Sequence, residues 1–399
     1  METLPPELHV RIFAYACMDD GAIGRSLSSV SRYIREVSSP FQWQSVSLVG
    51  HENMLTFAGL VRQTRTKRPI YHLFLSDGTP PFPRPDHVYG DSKHFHQSVE
   101  LRDALRSILA FAAPTLDTLT FYSVATFLGG GASIAYLLSI SYPRLTELTI
   151  RGRCTPVQLT SLSQSLGTFP HEMPSLRRLH LAIPCHGFAY GNLQEIHSFI
   201  RCVAPNVTHF RLSMLDMWGS KRVAEVLHAE LAASGIVKPM LELPCLPGET
   251  SAIAIAQEVA WDVLLPKSLQ LFVIQPSPTK NFYCSCCMEF RGDVDVMRVF
   301  EKLSEEADES RFLLFNRGST ACMGYGSNEA KQDWLDRMDD GTGCWKQRDE
   351  AIQEPDDDRL FSRSIPQSPP LSSSLPTKYE RKSSFSTKIR KFMKKLKIF

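Results

Sequence analysis

Five copies of one short pattern, apolar-x-x-apolar-x-apolar, constrain the fold more than any other feature of the sequence. They are Leu116-x-x-Leu119-x-Phe121, Leu145-x-x-Leu148-x-Ile150, Leu176-x-x-Leu179-x-Leu181, Val207-x-x-Phe210-x-Leu212 and Leu269-x-x-Phe272-x-Ile274. Their first residues lie 29, 31, 31 and 62 positions apart, and the last spacing is twice 31. That doubling predicts one intervening unit whose pattern has decayed, with Met240-Leu241-Glu242-Leu243 as its degenerate candidate. Two weaker copies, Trp43-x-x-Val46-x-Leu48 and Ile70-x-x-Leu73-x-Leu75, come earlier. Alternation at the end of each unit is the period of a strand. Pro143, Pro174 and Pro205 each stand two residues before a unit, where proline stops a preceding helix.

Between units the apolar spacing changes to three and four residues, which predicts helices over 97–113, 157–166, 192–203, 220–233 and 251–264. A strand followed by a helix at a period near 30 residues is the plan of a leucine-rich-repeat solenoid. The expected fold class is therefore α/β: an irregular leucine-rich-repeat-like strand–helix solenoid over 41–345, interrupted by a Pro-, Asp- and His-rich loop at 76–96. A doubly wound α/β sheet is the structural alternative, because strand–helix alternation fits both. In a solenoid, the polar residues between the strand leucines are expected to face solvent on the concave side. Those rows hold Thr146, Glu147 and Thr149, then Arg177, Arg178 and His180, then Thr208, His209 and Arg211. Glu147, Arg177, Arg178, His180, His209 and Arg211 are the candidates for binding a protein target.

Before the repeat, residues 1–40 carry two apolar stripes. Leu8, Ile12, Phe13 and Ala16 form the first, and Leu27, Val30, Ile34 and Val37 the second. Thr3 is the expected N-cap of the first helix, and Asp19-Asp20-Gly21 is turn chemistry. So short a pair buries too little to be stable alone and must dock on something. Leu4-Pro5-x-Glu7-Leu8, then Ile12-Phe13, then Leu27-x-x-Val30-Ser31-Arg32-x-Ile34-Arg35 resembles an F-box, in particular the opening of a large group of fungal F-box-like proteins. The resemblance implies a helical module that docks on a Skp-type adaptor of cullin–RING ubiquitin ligases. Leu4, Pro5, Leu8, Ile12, Phe13, Leu27 and Val30 would then contact the adaptor or hold the module together. Asp333-Trp334-Leu335-Asp336-Arg337 and Gly341-x-Gly343-Cys344-Trp345 also resemble the end of the folded part in that group, and helices at 293–309 and 328–338 with a strand at 312–315 are expected to cap the solenoid.

The remaining features argue mostly against other functions. Net charge is +2, so bulk electrostatics names no partner and nucleic acid is not expected. Glu2 and Glu7 without an apolar run argue against a signal peptide, so the ten cysteines are expected to stay reduced in the cytoplasm or nucleus. The uncharged run 118–143 contains Gly129-Gly130-Gly131 and reads as strand, loop and buried helix rather than a membrane span. That glycine loop lacks the spacing and the lysine of a phosphate cradle. His87, His94 and His96 with Asp86 and Asp91 match no metal-ligand spacing, and Cys284-x-Cys286-Cys287 is too tight for a zinc knuckle. No motif assembles a nucleophile, base and oxyanion donors, so neither an enzyme nor a cofactor is expected.

From about residue 346 the composition turns acidic and then Pro/Ser-rich, which predicts a disordered linker over 346–384. In it Ser368, Ser383 and Ser384 are plausible phosphorylation positions. Residues 385–399 read as a basic amphipathic helix. Phe392 and Leu396 share its apolar stripe, with Lys388, Arg390, Lys391, Lys394, Lys395 and Lys397 around it. Such a helix suits an anionic membrane surface, a calmodulin-like partner or an import receptor. The F-box resemblance implies an intracellular, non-enzymatic substrate-recognition adaptor of a Skp–cullin–RING ligase. A repeat scaffold without a ligase link, which this helix could tether to membrane, is the alternative.

Overall fold

The computed structural model describes residues 4–64, 68–77, 92–123, 130–152, 171–182, 196, 199–215, 227–228, 231–232, 234–236, 265–276, 293–316 and 325–347. The chain opens with three short helices, α1 (Pro6–Ala16), α2 (Ala22–Leu27) and α3 (Arg32–Ser38). Eight strands follow: β1 (Ser45–Val49), β2 (His72–Ser76), β3 (Thr118–Tyr122), β4 (Glu147–Arg151), β5 (Arg178–Ala182), β6 (His209–Leu215), β7 (Leu271–Pro276) and β8 (Phe312–Leu314). Among them lie α4 (His51–Gln63), α5 (Ser92–Ala112), α6 (Gly130–Leu138) and α7 (Asp293–Glu306), with α8 (Ser327–Met338) and a 3-10 turn at Gly343–Trp345 after β8.

All eight strands form one sheet, every neighbouring pair is parallel, and their order in the sheet is their order in the chain. A doubly wound sheet reverses its strand order at a switch point; this one advances in one direction throughout. β6 pairs directly with β7, so the 62-residue gap inserts no strand between them. The degenerate unit at 240–243 lies outside the described residues, as do the helices expected at 157–166 and 251–264.

The register explains the repeat. One row across the sheet runs Val46, Leu73, Leu119, Leu148, Leu179, Phe210, Phe272 and Phe312; the next runs Leu48, Leu75, Phe121, Ile150, Leu181, Leu212, Ile274 and Leu314. These are the second and third apolar positions of successive units. They share one core with α4, α5, α6 and α7. Each fully buried side chain of this size contributes roughly 1.5–3 kcal/mol. The first apolar position of most units, such as Leu116, Leu145, Leu176 or Val207, is fully buried just before its strand, while Trp43 is half-buried. There the backbone also stacks: the Asp117 carbonyl accepts from Thr146 N at 2.9 Å, and the Arg177 carbonyl from Thr208 N at 2.8 Å.

Three expectations need correction. The second stripe of the opening is not one helix, because the chain breaks between α2 and α3. Ser28 and Ser29 bond back to the Arg25 and Ser26 carbonyls, and Ser31 caps α3 by accepting from Ile34 N at 3.2 Å. Serine side chains that compete for backbone groups favour such a break. The loop at 76–96 is shorter than expected, since α5 starts at Ser92. Finally, α8 does not cap the end of the repeat. It lies on the face of the sheet opposite α4–α7, packed against β2 and β3. Among the described residues no helix is long and apolar enough to cross a membrane, and 118–143 contains β3 and the nine-residue α6.

Candidate functional site: a polar sheet face under a C-terminal strap

Residues that alternate with the apolar rows make the other face of the sheet. Its three rows are Ser45, His72, Thr118, Glu147, Arg178, His209 and Leu271; Ser47, Phe74, Thr120, Thr149, His180, Arg211, Val273 and Leu313; and Val49, Ser76, Tyr122, Arg151, Ala182, Ser213 and Gln275. Contrary to expectation, this face is not open to solvent. Residues 325–347 cross it as a strap, so Glu147, Thr149, His180 and Arg211 are buried, while Arg178 and His209 are partly covered. Arg177 is exposed but off the face: its guanidinium donates to the Pro174 carbonyl at 2.9 Å and so braces a turn.

Glu147 is the hub of the contact. Its Oε2 accepts from Arg337 Nε of α8 at 2.9 Å and lies 3.5 Å from Arg178 Nη1. Its Oε1 accepts from the Trp345 indole N–H at 2.9 Å. Both oxygens of one carboxylate thereby hold two points of the strap. The strap is braced internally, since Asp336 Oδ2 accepts from Gly343 N at 2.8 Å. Gly343 has φ +60°, a left-handed conformation that costs glycine nothing.

Arg211 anchors the far end. Its guanidinium donates to the Cys344 carbonyl, to Gln275 Oε1 at 2.6 Å and to Ser213 Oγ at 2.8 Å. It also lies over the rings of Phe315 and Tyr325 at 4.9 and 5.3 Å. Tyr325 donates its hydroxyl to Asp333 Oδ2 at 2.9 Å, and its ring meets His180 edge-on at 4.7 Å. Trp334 packs on Phe74 at 5.7 Å. Between strap and sheet a gap of about 10 Å³ remains, lined by Thr118, Thr120, Glu147, Trp334 and Arg337. That is less than a small-molecule ligand requires.

Electrostatics follows from this cover. Burial, reinforced by Arg211, drives the His180 imidazole well below its usual range. Burial and the nearby Arg337 lower His72 to about 4, and burial together with Arg178 lowers His209. Both His72 and His180 are therefore neutral in the folded protein near neutral pH. The unfolded chain, with imidazoles near 6.5, binds more protons than the folded one between pH 6.5 and 4. Stability is fully present above pH 6.5 and falls as the pH drops through this window. For His72, lowered from 6.5 to about 4, the loss is on the order of 2–3 kcal/mol. The urea midpoint is expected to fall between pH 7 and 4.5, and to fall less in His72→Gln; an equal decline in both proteins would remove His72 as a cause.

The opening helices divide the F-box-like residues in two. Phe13 and Leu27 join Ala16, Cys17, Ile23 and Ile34 in the module's own core, with Ile12 packed against it. Leu4 and Leu8 are half-buried, Pro5 is exposed, and Val30 is 64% exposed. Tyr33 is also on the surface, its hydroxyl 3.0 Å from His9 Nδ1. The module is fixed to the sheet by Gln44 and Ser45 side chains donating to the Ala14 and Asp19 carbonyls. It is tied to the strap by Lys331 Nζ at 3.2 Å from Asp20 Oδ2. Burial alone would raise the Asp20 carboxyl, but the Lys331 charge and hydrogen bond outweigh it and hold it below the usual range.

Sequence reasoning did not place Tyr325, Arg337 and Trp345 in this site. The signal for Arg337 and Trp345 was the cluster of indoles and charges between 333 and 345, which carries no information on where it docks. Among the described residues no group of three or more His, Cys, Asp or Glu side chains is arranged to hold a metal ion. Cys284, Cys286 and Cys287 lie outside the described residues, as do His87 and the residues of the basic segment: Lys388, Arg390, Lys391, Phe392, Lys394, Lys395, Leu396 and Lys397. No protein-family model, no curated protein and no solved structure matches this chain.

Proposed function

We propose that the chain is a non-enzymatic substrate receptor of a Skp–cullin–RING-type ubiquitin ligase. Its opening helices dock on the Skp-type adaptor, and a leucine-rich-repeat-like solenoid presents a protein target. The observation that carries this reading is the exposure of Val30. The module closes its own core with Phe13, Ile23, Leu27 and Ile34, yet holds Val30 in solvent at 64% exposure, with Pro5 and Tyr33 also on the surface. Single exposed apolar residues are ordinary. Here, however, Val30 and Pro5 fall on the motif through which F-box-like proteins bind their adaptor. The strand order supports the solenoid, because a sheet that advances one strand per repeat is how such arrays stack.

Co-purification with a Skp-type adaptor tests the proposal. The wild-type chain is expected to bind, and Val30→Asp to weaken binding roughly 30-fold or more, as for loss of an interface anchor. Its circular dichroism should be unchanged, because Val30 packs in no core. A wild-type chain that retains no adaptor overturns the proposal in favour of a repeat scaffold without a ligase link.

A further inference from the structure

The two faces of the sheet are covered in different ways. The face under α4–α7 is apolar in every row and belongs to one continuous core. The strap instead makes two small separate clusters, one around Phe74, Tyr122 and Trp334 and one around Val273, Cys344 and Trp345. In β3–β6 every position of the strap-covered rows except Tyr122 and Ala182 is polar. A layer whose only task is stability would be expected to meet an apolar sheet, as the opposite face does.

The strap also fits this face incompletely. The Tyr122 hydroxyl, His180 Nδ1 and Trp334 Nε1 are buried without a hydrogen-bond partner. Specific side chains hold it, among them Trp334 on Phe74, Arg337 and Trp345 on Glu147, and Arg211 on the Cys344 carbonyl. Glu147 is the single acid in the three rows, which also carry Arg151, Arg178 and Arg211. A cation on a docking segment has one place to go, and that fixes its register. An aromatic anchor and a charge on one face of a short helix is a mode of peptide recognition.

We propose that the polar face of β2–β6 is a docking site for a short helical protein segment presenting an indole and, three residues on, a guanidinium. Residues 325–347 occupy it in cis as a pseudo-ligand, and a partner segment of the same chemistry displaces them. This rests on the solenoid being a target-binding platform, and it adds what the target must present and what must first be moved. The apolar core under α4–α7 shares no residue with either strap cluster, so the strap can lift while the sheet stays folded.

The test uses the full-length chain and a labelled synthetic peptide of residues 325–347. Trp334→Ala/Arg337→Ala/Trp345→Ala removes three contacts of the strap and substitutes no residue of the sheet. This variant is expected to bind the peptide at least about 50-fold more tightly than wild type, whose site is already filled. Adding Glu147→Lys to the variant should abolish that binding. A folded variant that does not bind the peptide, or a wild type that binds it equally, overturns the proposal. If the variant does not fold, amide exchange on the wild-type chain decides. Strap amides of α8 are expected to exchange at least about tenfold faster than those of β3–β6; equal protection would mean that the strap opens only when the whole sheet unfolds, and would overturn the proposal. Neither measurement involves the Skp-type adaptor, so failure here is distinguishable from failure of the ligase assignment.

Discussion

Phe272→Ala is expected to destabilise the chain by about 3–5 kcal/mol, the range for a large aromatic removed from a closed core. Phe272 has no exposed surface and is the central ring of three on neighbouring strands. It meets Phe210 edge-on at 5.4 Å and stacks on Phe312 at 6.2 Å with the planes 9° apart. Alanine would leave a cavity that two strands and α7 could fill only by moving together, and the parallel ladders on both sides of β7 resist that. Urea unfolding should show the full loss in the midpoint with little change in slope. Val49→Ala, on an exposed strand end, should stay within about 0.5 kcal/mol of wild type. A Phe272→Ala cost below about 1 kcal/mol would mean that the ring does not sit in a packed row.

Arg211→Met is expected to cost about 2–4 kcal/mol and to loosen the strap before the sheet. Methionine keeps an apolar stem between Phe315 and Tyr325 but removes every donor. The Cys344 carbonyl then loses this donor in a buried place, and Gln275 Oε1 keeps only the Ser213 hydroxyl at 3.0 Å. Lysine should recover only part of the loss, because one ammonium cannot reproduce a fork that reaches Cys344, Gln275 and Ser213 together. The readout is local as well as global: amide exchange at 343–345 should rise more than at β4 or β5. A uniform rise across all strands would place Arg211 in the stability of the sheet itself rather than in the hold on the strap.

Much of the sheet was legible because its signal is local. Two apolar positions separated by one residue, preceded by a third, state a strand with one buried face, and a constant spacing states that the strands stack. Even the weak copies at Trp43 and Ile70 gave β1 and β2 in register with the rest. A strand was expected between the units at 207 and 269, and none lies there, since β6 and β7 are adjacent. Spacing counts residues and cannot tell a missing strand from a long connection. In the opening module, the apolar stripe around Leu27 hid a break that depends on which serines reach which carbonyls.

The candidate site was the least legible part. Glu147, His180 and Arg211 were identified by their place in the repeat, but as solvent-facing residues. A polar residue at an alternate strand position carries no mark of whether another segment covers it, and charged residues are mostly exposed. The cover comes from about 190 residues further along the chain, where Arg337 and Trp345 reach one carboxylate on β4. By itself the sequence determined the strands, their parallel stacking and the apolar face they share, because periodicity and burial act between near neighbours. Only the tertiary structure decided that the second face is closed and by what, because pairing a buried charge requires a partner whose position no local pattern encodes.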